Sequence, residues 1–319
     1  MARYVLKRIL QLLPCIIGVS FIVFALMEIA PGTFIDALRS EDMTPEARQA
    51  LIEQHNLDKP MIFRYGLYMF NLVQGDLGVS DHTQIDVWKT FISRLPNTLI
   101  LSFSALIIGA VISIPIGIIA ARHERSILDN AVTVFALLGM SMPVFWLGLM
   151  LILGFSLHLK WLPSGTFDYG IRSLILPAFC SSLSMIANSA RQTRSNMLEV
   201  LKADYLRTAR AKGVPEEAVI RNHALRNAWI PIITAIGTSL SFQLAGAVVV
   251  ESVFTWPGIG RMAAEAVQAR DVTTTTGVVI MTTIIYGFVQ IITDLLYAVV
   301  DPRIKSQYLN TGKKRRRIL

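Results

Sequence analysis

The sequence predicts an all-α membrane protein with six transmembrane helices. Of its 319 residues, 53% are hydrophobic and only 16% are charged, and the mean hydropathy is +0.52. A soluble domain carries about 25% charged residues. The apolar residues also fall in blocks of about twenty, the length of helix that crosses a hydrocarbon core roughly 30 Å thick.

Six such blocks follow one another along the chain. The first comes after Arg3, Lys7 and Arg8, and it is longer than the roughly 7–15 apolar residues of a signal peptide, so we expect a retained span. The fourth is short and has Pro177 near its start. The blocks lie at residues 9–30, 97–121, 131–156, 174–190, 229–253 and 275–299.

The longest segment between two blocks, residues 31–96, is too polar to lie in lipid as a whole. It contains "TPEARQALIEQHN", in which Thr44 is placed to cap a helix that begins at Pro45. We therefore expect an extracytoplasmic segment with amphipathic helices between the first two spans.

The distribution of basic residues predicts the orientation. Twenty of the 30 Lys and Arg residues lie on the side that holds both termini, including the loop at 191–228 and the tail at 304–319. Because Lys and Arg are enriched in cytoplasmic loops, both termini are predicted to be cytoplasmic. The net charge of +8 is thus an inside charge and does not indicate nucleic-acid binding. The tail either contacts anionic lipid headgroups or serves topology alone.

One cytoplasmic stretch, "DYLRTARAKGVPEE" (204–217), has unusually clear punctuation. Gly213 suits the left-handed residue that ends a helix, and Pro215 follows as a stop. Glu216 and Glu217 then suit the first turn of a new helix. The pattern predicts a helix, a sharp turn and a second helix, which either docks a partner or only fixes topology.

The first of these helices has two kinds of surface. Tyr205, Leu206 and Ala209 are spaced to share one face, and the small Ala209 and Ala211 allow another surface to approach closely. The basic side chains that point elsewhere are Arg207, Arg210 and Lys212.

The stretch "DYLRTARAKGVPEEAVIRNHALRNAWIPI" resembles the cytoplasmic signature loop of ABC-importer permeases of the dipeptide/oligopeptide/nickel branch. Further similar stretches occur in the family's order: "GDLGVS" (75–80), "LPNTL" (95–99), "SMPVFWLG" (141–148), "WLPSG" (161–165), "TRSNMLEVL" (193–201), "FTWPGIGR" (254–261) and "DPRIK" (301–305). The resemblance implies a type I ABC importer permease fold and four segments: 1–30, 31–96, a five-span core at 97–303, and the tail at 304–319.

In that family the short helix before the glycine is the coupling helix, which sits in a groove on the ATPase subunit. By resemblance, its residues here are Asp204, Tyr205, Leu206, Arg207, Thr208, Ala209, Arg210, Ala211, Lys212 and Gly213.

The resemblance implies the permease subunit of a bacterial importer of di- and oligopeptides, multi-pass in the cytoplasmic (inner) membrane. Its implied partners are a second homologous permease, two ABC ATPase subunits and an extracytoplasmic substrate-binding protein. A nickel or metal-chelate importer is the alternative. Two departures, Thr33-Phe34 where the family has Asp-Pro and Val272 with a run of threonines where it has Tyr-Pro, bear on receptor docking and substrate class.

Several kinds of chemistry are missing from the sequence. It has no G-x-x-x-x-G-K-[ST] motif, so ATP and Mg are expected on partner subunits and no cofactor on this chain. The five histidines lie outside the blocks, and Cys15 and Cys180 lie inside them, which favours neither a metal relay nor a disulfide. An intramembrane hydrolase would need paired aspartates or a Ser/His pair, and a stand-alone channel would not need the 204–217 loop.

Four polar residues in or beside the spans are candidates for the translocation path: Ser239, Gln243, Glu251 and Asp294. Asp294 is costly at a helix centre and is expected to face a cavity or to hydrogen-bond between helices, and the second role is favoured. Glu251 lies near Trp256 and either lines the outer mouth or is free in water. Polar side chains also hold helices together in lipid, so the pattern leaves both roles open.

Overall fold

The computed structural model describes residues 2–32, 34–37, 44–165 and 167–300, and the basic tail predicted at 304–319 lies outside them. The regular elements of these residues are helices. They are α1 (Ala2–Ile29), α2 (Phe34–Ala37), α3 (Pro45–Gln54), α4 (Met61–Val73), α5 (Val87–Arg122), α6 (Ile127–Ser141), α7 (Val144–Leu151), α8 (Ile171–Leu201), α9 (Asp204–Ala211), α10 (Glu216–Ala218), α11 (Leu225–Val253), α12 (Ile259–Gln268) and α13 (Val272–Val300). A 3-10 turn (Phe167–Tyr169) and two π-helical segments (Ile152–His158 and Val219–Ala224) complete the set.

Each predicted apolar block lies mostly in helix. Among the described residues, four helical stretches are long and apolar enough to cross a membrane, and the pair α6 and α7 would make a fifth if it counts as one span. The four are Val5–Ile29, Val87–Arg122, Ile171–Leu201 and Val272–Leu295. The block at 229–253 lies within α11, a helix of 29 residues.

The third block, predicted as one span, is broken. α6 ends at Ser141, α7 begins at Val144, and the two helices are bent by 101°. Pro143 has no backbone N–H, and the residue before a proline is driven out of the helical region. Met142 accordingly has φ −73° and ψ 126°. Pro143 therefore divides this block, and a count of apolar residues does not reveal such a break.

The helix that contains the fourth block, α8, is much longer than the block itself. α8 continues eleven residues beyond the predicted end at residue 190, reaches Leu201, and contains Pro177 in its interior. Its extra turns carry charged residues, which is why hydropathy missed them. α8 packs against α6, α7 and α11, and twelve of its 31 residues are buried. It is therefore the central helix of its part of the chain.

The chain divides into two compact units. Among the described residues, the first, here called the core unit, comprises 99–256 and 290–300, and the second, the flanking unit, comprises 2–98 and 257–289. In the core unit one apolar cluster consists of Leu101, Leu176, Ala178, Cys180, Val250, Phe254 and Trp256. The cluster of the flanking unit consists of Leu77, Val87, Phe91, Ile259, Met262 and Val278.

In the flanking unit, the predicted start of α3 is confirmed. The Thr44 hydroxyl accepts a hydrogen bond from the Ala47 amide at 3.3 Å, and Pro45 is the first helical residue. This bond satisfies one of the amide groups that a helix N-terminus leaves without an intrahelical partner.

The threonine run at the departure from the family pattern forms the buried start of α13. The Asp271 carboxylate accepts hydrogen bonds from the Thr274 amide at 2.8 Å, the Thr274 hydroxyl at 2.7 Å and the Ser80 hydroxyl at 2.6 Å. Thr275 and Thr276 are 2% and 0% exposed. This stretch is thus internal to the flanking unit, where Asp271 joins it to the "GDLGVS" turn.

Two separated stretches of the core unit meet at Gly165. Its backbone lies so close to Phe254 that an added Cβ would be 2.0 Å from the Phe254 carbonyl oxygen and 2.7 Å from Thr255 Oγ1. Beside it, the rings of Phe167 and Trp256 meet edge to face with centroids 5.2 Å apart. Only glycine fits here, because the obstacle is backbone and cannot move aside.

We expect Gly165→Ala to lower the free energy of unfolding by about 1–3 kcal/mol, the usual cost of overpacking. The midpoint of thermal unfolding of the detergent-solubilised protein measures it. Gly154→Ala is the matched control, since nothing lies within 4 Å of an added Cβ there. Equal midpoints for the two variants would contradict the close approach.

Candidate functional site: the α9 loop and the polar residues of the core unit

α9 begins without a side-chain cap and ends in a defined turn. Ala203 has extended backbone and no capping side chain, and Asp204 supplies a carboxylate in the first turn, where the helix dipole favours it. At the other end Gly213 has φ +79°, its amide donates to the Arg210 carbonyl at 2.9 Å, and the Val214 amide donates to the Ala209 carbonyl at 3.3 Å. This pair of bonds is the Schellman motif, as the predicted Gly213 turn requires.

Leu206 holds α9 in place. Its side chain is 0% exposed and belongs to a cluster that includes Met197 of α8 and Ala228 of α11, while Ala209 packs against the same cluster. The remaining buried members are Ala121, Val219, Ile220, Ala224 and Ile232. Burying a leucine side chain is worth about 1.5–3 kcal/mol, which favours the rotation of α9 that turns Leu206 inward.

Two polar contacts tie α9 to the chain that follows it. The Tyr205 hydroxyl accepts a hydrogen bond from the Asn227 side-chain amide at 2.9 Å, and the Tyr205 ring remains 44% exposed. The Arg210 guanidinium donates to both carboxylate oxygens of Glu216, at 2.9 and 3.0 Å, and lowers the pKa of that carboxyl through these hydrogen bonds. This doubly hydrogen-bonded ion pair between Arg210 and Glu216 joins the two ends of the turn around Gly213.

The opposite side of α9 faces away from the core unit. Its exposed residues are Asp204, Arg207, Thr208, Ala211 and Lys212. The pair of Arg207 with Asp204 spans 3.8 Å between side chains that are 79% and 96% exposed, so it adds little stability. The predicted shared face of Tyr205, Leu206 and Ala209 is thus turned inward, with Tyr205 at its edge. Of the two small alanines, Ala211 is outward.

Three of the four path candidates lie in α11. Gln243 is 8% exposed, accepts a hydrogen bond from the Ser181 hydroxyl at 3.0 Å and donates to the Ser181 carbonyl at 3.2 Å, so it links α11 to α8. Ser239 donates to the Ala235 carbonyl at 2.9 Å, one turn back in its own helix. Glu251 is 0% exposed, which places its side chain inside the core unit.

Asp294, the fourth candidate, is also buried, with 6% of its surface exposed. The Gln290 side-chain amide donates to its carboxylate at 3.4 Å, one turn earlier in α13. Within the core unit, Ser239 and Gln243 are thus held by hydrogen bonds, and Glu251 and Asp294 are buried.

The comparisons with known proteins identify the family. Residues 113–306 match the family described as "Binding-protein-dependent transport system inner membrane component", and residues 1–102 match the N-terminal part of such membrane components. The chain belongs to this permease family.

Several relatives are similar to this permease over its whole length. It is 37% identical to the oligopeptide transport system permease protein AppB of Bacillus subtilis, over 96% of this chain and 100% of the relative. It is also 37% identical to the dipeptide transport system permease protein DppB of Escherichia coli, over 96% and 99%. The chain is a membrane permease subunit and not an enzyme, and its family implies ATPase and substrate-binding partners.

The solved structures agree on the fold. An inward-facing MetNI methionine ABC transporter matches with a TM-score of 0.56 and 17% identity, over 67% of this chain and 97% of the other. An amino acid ABC transporter crystallised with histidines matches with a TM-score of 0.50 and 19% identity, over 67% and 94%. At these identities the likeness concerns the architecture of the permease alone.

Sequence reasoning missed the ion pair between Asp129 and Arg194 of the permease. The side chain of Asp129 in α6 is 3% exposed. Its two carboxylate oxygens accept hydrogen bonds from the guanidinium of Arg194 in α8, and the bond from Nη2 to Oδ2 is 2.7 Å long. Asp129 also accepts from the Arg125 amide at 2.9 Å, while its own amide donates to Ser126. The Ser126-x-x-Asp129 spacing signals a helix start. Nothing in the sequence signals a partner 65 residues away.

This pair fastens α8 to α6 ten residues before α9 begins. We expect Arg194→Ala to lower the free energy of unfolding by about 3 kcal/mol, because it leaves the Asp129 carboxylate buried without its counter-ion. Thermal unfolding of the solubilised permease is the measurement. Adding Asp129→Asn should recover part of the loss, since the buried charge is then removed.

Arg207→Ala is the matched control for the loss of an arginine. Its ion pair with Asp204 is exposed, so we expect no measurable change in the unfolding midpoint. An Arg194→Ala midpoint equal to that of Arg207→Ala would show that the α6–α8 pair contributes nothing to stability.

Proposed function

We propose that this permease carries di- and oligopeptides across a bacterial cytoplasmic membrane. The observation that carries the proposal is the whole-length similarity to permeases named for peptide transport, which extends over 96% of this chain. A similarity confined to the core unit would reflect only the common importer fold. This one also extends through the residues of the flanking unit.

The proposed assembly contains a second homologous permease, two ATPase subunits and an extracytoplasmic protein that delivers peptide to the side of residues 31–96. The permease itself crosses the membrane six times, with α11 as the fifth span, α6 and α7 together as the third, and both termini in the cytoplasm. The charge bias of the loops supports this orientation.

ATP-driven movement enters the permease through the coupling helix, residues 204–213. Three features of α9 support this role: its outward face is exposed, its inward face is fixed by Leu206, and its ends are tied by Tyr205 and by Arg210. A helix held in this way moves as one body with α11. Motion of an ATPase groove against α9 would change the side of the membrane to which the translocation path opens. This requires that the groove bind the two states of the permease differently.

Uptake by the complete importer in proteoliposomes tests the cargo. We expect ATP-dependent accumulation of radiolabelled di- or tripeptide when the binding protein is present, and none with an ATPase variant that cannot hydrolyse ATP. A nickel chelate supplied in parallel should not accumulate. Accumulation of the chelate without peptide would establish the metal-importer alternative and overturn the proposal.

The coupling role is tested at Gly213. Its left-handed φ costs an ordinary residue about 1–2 kcal/mol, and asparagine tolerates it better than a β-branched residue. An added Cβ there meets nothing within 4 Å, so substitution strains only the backbone of the turn. We expect Gly213→Val to reduce peptide uptake and peptide-stimulated ATP hydrolysis several-fold, with binding-protein affinity unchanged.

Gly213→Asn is the matched control and should stay near the wild-type rate. Wild-type rates for both variants in an intact complex would mean that the turn at Gly213 does not transmit motion. An effect on binding-protein affinity alone would place the defect on the other side of the membrane.

A further inference from the structure

α4 packs against the middle of α1 within the flanking unit. The Tyr65 hydroxyl donates to the Ile17 carbonyl at 3.1 Å and lies 2.9 Å from the Ser20 hydroxyl. Ser20 also contacts the sulfur of Met69, at 3.9 Å, and the rings of Tyr65 and Phe21 meet edge to face at 5.3 Å. α4 therefore contacts α1 from Ile17 to Glu28, and the contacts of Tyr65 and Met69 lie well inside the helix end.

The position of these contacts along α1 sets the depth of α4. Ser20 lies nine residues before the last residue of α1, Ile29. At a rise of 1.5 Å per residue this is about 13 Å along the helix axis. One leaflet contributes about half of a hydrocarbon core roughly 30 Å thick. Since α1 has the length and composition of a span, its contact with α4 lies among acyl chains, below the headgroups.

The outward face of α4 has the composition that such a depth requires. Its large exposed side chains, 40–85% exposed, are Ile62, Phe63, Leu67, Phe70 and Val73. The one charged residue of α4, Arg64, is turned the other way, where it forms an ion pair with Glu28 of α1 and keeps only 10% of its side chain exposed. No charge of α4 thus points outward.

α3 provides the contrast within the same polar segment. Its exposed residues include Glu46, Arg48, Gln49 and Glu53, as expected for a helix in water. A water-covered α4 would leave five large apolar side chains in contact with solvent on one continuous face. Monomeric proteins rarely expose a contiguous apolar patch of that kind.

We propose that the outward face of α4 is embedded in the acyl chains of the leaflet at the Ile29 end of α1. The apolar surface continues from α4 onto α1, where Ile17 and Phe21 are 52% and 42% exposed beside the contact. A soluble partner could cover this joint surface only by entering the hydrocarbon, whereas lipid is already there. The polar segment between the first two spans therefore contains a membrane-embedded helix, and α3 remains in water.

Spin-label accessibility in the complete importer, reconstituted in lipid nanodiscs, tests this assignment. Single cysteines are introduced by Phe70→Cys and by Ile62→Cys in a Cys15→Ser background, where Cys180 is buried and does not react. The lipid reference is Ile22→Cys on α1, which is 57% exposed. The water reference is Gln49→Cys on α3.

Labels on α4 should behave like the label at residue 22. We expect high collision rates with oxygen, which concentrates in acyl chains, and low rates with a water-soluble nickel complex, whereas residue 49 should show the reverse. High rates with the nickel complex at both α4 positions would place α4 in water and overturn the proposal. Low rates with both reagents would mean that protein covers the face, which overturns it equally.

Discussion

The orientation of α9 depends on the burial of one side chain, Leu206. A helix of eight residues is not stable alone in water, because nucleation costs more than so few hydrogen bonds return. α9 is ordered because Leu206 is enclosed by residues of α8 and α11. The Schellman turn and the fork between Arg210 and Glu216 then determine how the chain leaves α9. The exposed basic residues of the loop, Arg207 and Lys212, are thereby held in a fixed orientation by the apolar cluster around Leu206.

Hydrophobic composition predicted where the apolar helices lie, although among the described residues only four of them, or five with the pair α6 and α7, are long and apolar enough to span. The glycine and proline of the 204–217 loop predicted the α9 turn. Thr44, Gly213 and Pro215 each act through their own backbone or a neighbour within a few residues, so local sequence is sufficient for them. Hydropathy failed where another rule decides. Pro143 divides an apolar block, and the charged end of α8 stays helical because it packs against neighbouring helices.

The polar residues were harder to interpret for a physical reason. A glutamine or an aspartate in an apolar helix must find a hydrogen-bond partner, and the sequence does not say whether that partner is cargo or another helix. Gln243 uses both ends of its carboxamide on Ser181. Asp129 finds its counter-ion 65 residues away in Arg194. Prediction also failed in segment 31–96, because the average polarity of the segment gives no sign of the apolar face of α4.

The flanking unit also contains a contact in which side chains recognise backbone. The Asn97 side-chain amide donates to the Pro257 carbonyl at 2.9 Å, and the Ile259 amide donates to the Thr98 hydroxyl at 2.9 Å. At Asn97 and Thr98 the contact requires particular side chains. At Pro257 and Ile259 it requires only that the main chain follow the same path. In chimaeras between relatives, this contact therefore depends on the main-chain path at residues 257–259, whereas the Asn-Thr pair must be transferred together with α5.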